Sequence, residues 1–394
     1  MLVSSTISPS EQGQRALRFI VLMGIVSLCA DMVYEGARSL TGPYLALLGA
    51  SGTAIGVIAG AGELIAYGLR LVFGYLSDRT HRYWAFTIAG YVLTALAVPA
   101  LALVGSWQLA LVLLSLERVS KAMRSPSKDT LLSYATAQIG HGKGFGIHEV
   151  LDQIGAIAAP LVLAAIIAWR GDYHLAFGML AIPGFLTIIV LLIARWRFPQ
   201  PSELASHTPP LAVEGFSQRF WLYLVAISLI AAGYADFPLI AFHLERTLVM
   251  PSAWIPVLYA LAMAVDALAA YVFGVLYDQL GFQALIGATL LSAGFAVLAF
   301  SGSLILVVLG VVLWGIGMGA QESILRAAVA NMVTVERRGT AYGLFNTGYG
   351  LSWFMGSALL GMLYDYSLAM LMGMSVVLQL ASIVVLLLVG RIRS

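Results

Sequence analysis

The feature that most constrains this chain is the recurrence, from one end to the other, of apolar runs of about 20 residues or more. A helix rises about 1.5 Å per residue, so such a run covers a hydrocarbon layer of roughly 30 Å while satisfying its own backbone hydrogen bonds. Twelve runs are predicted, at 17–45, 51–77, 83–104, 107–134, 144–169, 173–195, 219–246, 252–277, 283–302, 304–332, 340–364 and 367–390. With 60% hydrophobic and only 10% charged residues, the chain has no means of covering twelve such helices with a soluble surface. The sequence therefore predicts an all-α polytopic membrane protein.

Arginine, lysine and histidine cluster in alternate loops: Arg79, His81 and Arg82; His141 and Lys143; Arg195, Arg197 and Arg219; Arg337 and Arg338; Arg391 and Arg393. Positive charge of this kind marks cytoplasmic loops, which places both termini in the cytoplasm, in a bacterial cytoplasmic membrane. Residues 1–14 are polar and lack a cleavable signal pattern, so they read as a cytoplasmic tail, with Arg15 and Arg18 leading into an uncleaved first span. The polar, proline-containing stretch 198–217 reads as a cytoplasmic linker between halves at 15–197 and 218–394. An internal echo supports the division, because Gly74 and Asp78 close the second span as Gly274 and Asp278 close the eighth. The third, sixth, ninth and twelfth spans carry no charge in their interiors and are expected to face lipid, the others to enclose a polar interior.

Several classes are set aside at this stage. Cys29 is the sole cysteine, so no intrachain disulfide or cysteine cluster forms, and it reads as a small packing residue. A net charge of +2 without a basic run gives nucleic acid nothing to bind. Neither HExxH nor GxSxG occurs and no phosphate-binding P-loop is present, so neither an enzyme nor direct ATP hydrolysis is expected. No metal or organic cofactor is implied, and the short linker and tail argue against a transporter-like sensor, which would usually carry an added cytosolic signalling domain.

A charge in mid-bilayer costs roughly 2.5–3.5 kcal/mol on insertion scales, so ionisable residues inside the spans mark function. In the first span Asp31, Glu35 and Arg38 follow spacings of four and three and share one helical face, with Tyr34 beside them. Charges on neighbouring turns are expected to pair, and a static ladder of ion pairs is the plain alternative. Glu63, Tyr67 and Arg70 repeat the spacing in the second span and read as a structural or gating pair. The fourth span holds Glu117, Arg118, Lys121 and Arg124, then Lys128 and Asp129 at its end. Glu117, Lys121, Arg124 and Lys128 share a face, which predicts a cationic wall able to bind an anionic group or neutralise carboxylates.

These residues resemble the major facilitator superfamily. Gly74-Tyr-Leu-Ser-Asp78-Arg79-Thr-His-Arg82 is similar to its Gly-x-x-x-Asp-Arg-x-Gly-Arg loop signature, with His81 in place of glycine. Gly274-Val-Leu-Tyr-Asp278-Gln-Leu-Gly281 matches the signature in the second half, and Glu336-Arg-Arg-Gly339 resembles the loop before the eleventh helix. The resemblance implies two pseudo-symmetric six-helix bundles around a central cavity lined mainly by helices one, four, seven and ten, with alternating access. It gives Gly74, Asp78, Arg79, Gly274 and Asp278 a conformational, gating role. Arg118 falls where the family's fourth-helix arginine modulates a proton-accepting carboxylate.

In the fifth span Gly146, Gly155, Ala159 and Pro160 resemble the antiporter motif in part, Ala159 replacing a glycine; close helix packing explains the same residues. His148, Glu149 and Asp152 add titratable groups there, and His148 with Asp152 reads as a relay or as a satisfied internal hydrogen bond. The second half offers Asp236, Asp266, Gln321, Glu322, Arg326 and Asn346, with Glu322 and Arg326 spaced to pair. Asp236 and Asp266 have no basic neighbour within a turn and read as proton carriers. Trp314, Trp353, Tyr349, Phe345 and Tyr234 are candidates to line an organic-substrate pocket or to serve as packing. The expected function is secondary active transport of a small organic solute, coupled to protons, by a monomer embedded in the bilayer. The partial antiporter motif points to efflux; uptake or facilitated export of an anionic or zwitterionic metabolite stays open.

Overall fold

In the computed structural model, residues 9–139, 141–201, 216–332 and 338–391 are described. They form α1 Pro9–Leu47, α2 Gly52–Thr80, α3 Tyr83–Ala97 with a 3₁₀ continuation Pro99–Leu103, α4 Trp107–Ile139, α5 His141–Arg170, α6 Tyr173–Met179 and α7 Ala181–Arg197. The second half comprises α8 Gln218–Gly233, α9 Phe237–Thr247, α10 Trp254–Leu280, α11 Phe282–Ser292, α12 Phe295–Ala299, α13 Leu304–Met332, α14 Arg338–Tyr366 and α15 Leu368–Arg391. Pairing the interrupted segments gives twelve spans in two six-helix halves. Ten of them are apolar enough throughout to cross a membrane on composition alone. The other two are α4 and α14, which carry charged or polar side chains such as Glu117, Arg124 and Ser357 buried on one face while Leu109, Val112, Leu351 and Met355 stand exposed on the other. The charge-free spans are peripheral as expected: Phe185, Leu186, Leu290, Val377 and Val384 stand exposed on their outer faces.

Where a span breaks inside the membrane, its freed carbonyls need partners. The predicted seventh span is two helices, α8 and α9, parted at Tyr234–Asp236, with Pro238 in the first turn of α9. The Trp314 Nε1–H donates to the Ala235 carbonyl at 2.9 Å, and the Tyr234 hydroxyl donates to the Trp314 carbonyl. Both aromatics are fully buried and staple the break to α13. At the third span, Pro99 ends the α-helix, and the Tyr44 hydroxyl donates to the Leu101 and Val104 carbonyls at 2.9 and 2.8 Å.

The halves meet along α2 with α14, α1 with α9, and α5 with α10. With an even number of spans, both chain ends lie on one face, called here the terminal face. Near the opposite face the seam is tight enough to require glycine. A Cβ on Gly361 would lie 2.5 Å from the Gly52 carbonyl oxygen, and one on Gly56 would lie 2.8 Å from the Gly361 Cα. Asp365, just beyond the membrane-spanning part of α14, closes the seam by accepting from the backbone N–H groups of Gly52 and Thr53 at 2.8 and 2.6 Å. Those N–H groups open α2 and have no partner within their own helix, so the carboxylate caps a helix of the other half.

Candidate functional site

A layer of charged groups crosses the interior and separates two cavities. Arg38 of α1 donates from Nη2 to Asp236 Oδ1 at 2.9 Å, lies 3.9 Å from Glu63 Oε1, and donates from Nη1 to the Tyr34 hydroxyl at 3.2 Å. Arg118 of α4 stands 3.1 Å from Glu63 Oε1 and, through Nε, 3.5 Å from Glu117 Oε2. Its Nη1 also donates to the Tyr34 hydroxyl. The result is a chain of alternating charge, Glu117, Arg118, Glu63, Arg38, Asp236, running from α4 through α2 and α1 into the second half.

The helix break explains the last member. Asp236 occupies the N-cap of α9 in an extended conformation, yet its carboxylate does not cap that helix. It accepts instead from Arg38, from Trp353 Nε1 at 2.7 Å and from Ser357 Oγ at 3.4 Å. Removing one member of a buried pair typically costs about 3–5 kcal/mol because the other charge is left buried and uncompensated, so each of these side chains, one from each half, depends on the other. Glu35 makes a second tie, accepting from the Tyr259 hydroxyl of α10.

On the terminal side of this layer lies the larger cavity, about 700 Å³ of atom-free space counting its open mouth. The first half lines it with Tyr34, Glu35, Tyr67 and Lys121, the second with Gln321, Glu322, Phe345, Asn346, Tyr349 and Trp353. Lys121 rests its ammonium 3.9 Å from the centre of the Tyr34 ring, and among the described residues no carboxylate lies within 4.0 Å of it. Opposite, Phe345 and Tyr349 are stacked at 5.8 Å, Trp353 lies 5.4 Å beyond, and the Tyr349 hydroxyl donates to Gln321 Oε1 at 3.0 Å. An apolar and aromatic wall facing a few fixed polar groups suits a small organic solute.

The remaining candidates are distributed around this centre. Asp31 lies on α1 nearer the terminal face and is partly exposed. Arg124 turns away from the cavity toward the third span, donating to Thr94 Oγ1 at 2.7 Å and stacking on Tyr91. Ser27 Oγ lies 2.8 Å from His148 Nε2 and 3.3 Å from Lys128 Nζ. One ligand atom from each of His148, Glu149 and Asp152 falls within 4.8 Å of the others, a grouping that could hold a cation. The nearby Lys128 ammonium already supplies positive charge to Asp152. Asp266 is buried against α13 with Oδ1 unpartnered. The side chains of Arg326 and Asp278 lie outside the described residues. In the loop signature Asp78 accepts from Tyr83 at 3.2 Å and Arg79 donates to Tyr75 at 3.4 Å, with no ion pair to either among the described residues. Gly74 faces Pro126 of α4 and Gly274 faces Ser323 of α13, equivalent positions in the two halves.

The structure differs from the sequence reading in how the charges pair. Neither Arg38 with Asp31 or Glu35, nor Arg70 with Glu63, forms an ion pair along its own helix; Arg70 stacks on Tyr67 at 4.8 Å instead. The interhelical partners are more deeply buried, and a buried unpaired carboxylate is the costlier defect. Glu63 thereby moves from a flanking position to the centre. The repeated four-and-three spacing in α1 and α2 was its sequence signal. Tyr259 and Ser357 carried no such signal. Of the aromatic candidates, Phe345, Tyr349 and Trp353 line the cavity, while Trp314 and Tyr234 serve the helix break.

Comparison with known proteins gives one consistent result. The family description Major Facilitator Superfamily matches residues 23–357 and 237–393. An uncharacterised protein of Mycobacterium tuberculosis is 42% identical over 392 residues, covering 97% of this chain and 95% of the relative. An uncharacterised MFS-type transporter of Methanocaldococcus jannaschii is 25% identical over 369 residues, covering 91% of each. Among solved structures, a point mutant of the nucleoside transporter NupG aligns at TM-score 0.76 with 14% identity, covering 93% of this chain and 99% of that one. A bacterial homologue of the lysosomal transporter Spinster, inward-facing and occupied, aligns at 0.73 with 15% identity, covering 94% and 96%.

Proposed function

Because the chain belongs to the major facilitator superfamily, and so is an integral membrane transporter of a small solute rather than an enzyme, we propose that it couples transport of a small organic solute to protons by alternating access. The observation that carries this reading is the Arg38–Asp236 bond. It joins the two halves at the head of the larger cavity, so its making and breaking would accompany the exchange of access between faces. A proton arriving anywhere along the five-membered chain of charges redistributes its partners, and with them the hold of Arg38 on Asp236. The solute binds on the terminal side of the layer, between Lys121 and the Phe345, Tyr349 and Trp353 wall. Both termini are cytoplasmic in this proposal, and the halves 15–197 and 218–394 rock about the layer as a monomer. Asp78, Arg79 and Asp278 would form their pairings in the state open to the opposite face, with Gly74 and Gly274 as the close-approach positions of the same gate.

The partial antiporter motif at Gly146, Gly155 and Pro160 supports efflux in exchange for protons. The Lys121 ammonium, which among the described residues has no carboxylate within 4.0 Å, favours a second reading, proton-coupled uptake or facilitated export of an anionic or zwitterionic solute. Protein reconstituted into liposomes with an imposed pH gradient tests coupling and direction together. Nucleosides and dipeptides are suitable first probes, since the structural neighbours include NupG and the peptide transporter POT. Accumulation that follows the gradient supports coupling and its sign gives direction; solute movement indifferent to the gradient refutes coupling.

A further inference from the structure

The smaller cavity lies on the other side of the charged layer, between α1, α2, the third span and α4, with about 510 Å³ of atom-free space counting its mouth. Along α1 its lining runs from Arg38 to Leu45, seven residues or roughly 10 Å toward the opposite face. Ile58 and Leu114 make its walls apolar, and Pro238 of α9 is the residue of the other half that borders it. Its inner end is polar. Glu117 is 3% exposed, and its Oε1 is fully buried with no hydrogen-bond partner, as is Arg38 Nε. Both residues line this cavity. Such atoms are normally satisfied. Glu117 thus stands at the inner end of an apolar shaft with an Oε1 that is covered in this state but keeps its lone pairs free for a proton.

We propose that Glu117 is the proton-binding carboxylate of the transport cycle and that this shaft is its access from the opposite face, separate from the solute cavity. The inference rests on the proton coupling proposed above. The step is a simple protonation: a proton from water forms an O–H bond at Glu117 Oε1, and the carboxylate charge is lost. The charged or titratable groups around it are Arg118 and Lys121 of α4, Arg38 and Tyr34 of α1, and Glu63 of α2; the third span and α9 contribute none to the cavity lining. Once Glu117 is neutral, Arg118 loses one of its two carboxylates and binds Glu63 alone. Glu63 then competes less for Arg38, which is left to Asp236. Proton binding therefore tightens the tie between the halves, and proton loss loosens it. Tyr34 lines both cavities and receives a hydrogen bond from each arginine, so the way out toward the solute cavity passes its hydroxyl. Asp266 is also buried and unpartnered, but it borders neither cavity.

Infrared difference spectra of the reconstituted protein between acid and neutral pH read buried carboxyl protonation directly. The expected result is a protonated-carboxyl band that is lost in Glu117→Gln and kept in Asp266→Asn. A band untouched by Glu117→Gln, or lost only in Asp266→Asn, overturns the assignment. Where Glu117→Gln does not fold, Glu117→Asp decides: a displaced band supports the proposal and an unchanged one overturns it. Access is read with Ile58→Cys in a Cys29→Ala background, using an impermeant quaternary-ammonium methanethiosulfonate. Labelling from the face opposite the termini supports the shaft, and labelling only from the terminal face overturns it. A Glu117 band that titrates while no solute responds to a pH gradient refutes the coupling proposed above and leaves the proton site standing.

Discussion

Gly56→Ala offers a perturbation of the seam that leaves every charge in place. The new methyl group would sit 2.8 Å from the Gly361 Cα and would overlap the Ser357 carbonyl oxygen, so both neighbours are backbone. Restoring an ordinary contact of 3.4 Å to the Gly361 Cα alone requires α2 and α14 to part by about 0.6 Å, the difference of the two distances, and the Ser357 carbonyl oxygen, which lies closer still, requires more. Overpacking of this kind costs about 1–3 kcal/mol. The cost falls on the state in which the seam is closed, because in the state open to the opposite face the helices have separated. At 1.4 kcal/mol per tenfold, the balance moves about 5- to 140-fold toward that open state. Ile58→Cys in the Cys29→Ala background is reached only through the narrow shaft in the closed state, where Ile58 is 7% exposed, and its labelling from the opposite face should rise above that slow rate by about the same factor when the seam opens. A labelling rate unchanged by Gly56→Ala, in protein that elutes and melts as before, would refute the identification of this seam as the gate. A rise in labelling from the terminal face instead would reverse its sidedness.

Other perturbations test other ties. Asp236→Asn should replace one charge-assisted bond by a neutral one, a loss of about 1.5–3 kcal/mol, and favour the same open state while circular dichroism reports an unchanged helix content. Tyr259→Phe removes the donor to Glu35 and should shift the same labelling equilibrium by about 12- to 140-fold, since a hydrogen bond to a carboxylate contributes about 1.5–3 kcal/mol. Burial works against ionisation of Asp365, but hydrogen bonds from the Thr53 side chain and from the Thr53 and Gly52 backbones prevail and hold its carboxyl below the usual value. A lowered value means that the bonded, ionised form stabilises the seam above the ordinary carboxylate range near 3.9, and that this support is lost as pH falls below it. Seam labelling in Glu117→Gln should therefore rise only under strong acid, and Asp365→Asn should abolish that acid response.

What the sequence made legible follows from periodicity and cost. Span length, loop charge and the uncharged third, sixth, ninth and twelfth spans each report contact with lipid, which acts on every residue of a helix alike. The repeated loop signature at Gly74 and Gly274 reports a duplicated fold, and the two glycines do occupy equivalent contacts. The charged residues announced a polar interior because burying them in lipid is expensive. Their pairing was illegible, since a charge on one helix says nothing of which helix lies across from it. Arg38 finds Asp236, 198 positions away, only because α9 begins where Pro238 breaks the seventh span. Tyr259, an ordinary aromatic in an apolar run, becomes a tie only when α10 packs beside α1.

The seam and the charged layer act on one equilibrium by different physics, and this gives the strictest test of the mechanism. The Gly56 methyl group adds a steric cost that does not depend on pH. Glu117 adds an electrostatic contribution, transmitted through Arg118, Glu63 and Arg38 to Asp236. If protonation of Glu117 tightens the seam, labelling of Ile58→Cys, corrected for the ionisation of the thiol itself, should increase as pH is raised across the titration of the infrared band. Glu117→Gln, fixed in the neutral form, should keep the corrected rate slow at every pH above the strongly acid range in which the Asp365 charge is lost. Gly56 and Glu117 share no direct partner, their link being Ser357, whose carbonyl the Gly56 methyl would press and whose hydroxyl donates to Asp236, so their effects on the logarithm of the labelling rate should add to within about 0.5 kcal/mol. Gly56→Ala should then raise labelling by the same factor in the Glu117→Gln background as in its absence. If the steric effect disappears once Glu117 is neutral, the two do not report a common opening, and the chain of ion pairs is a static brace rather than the link between proton and gate.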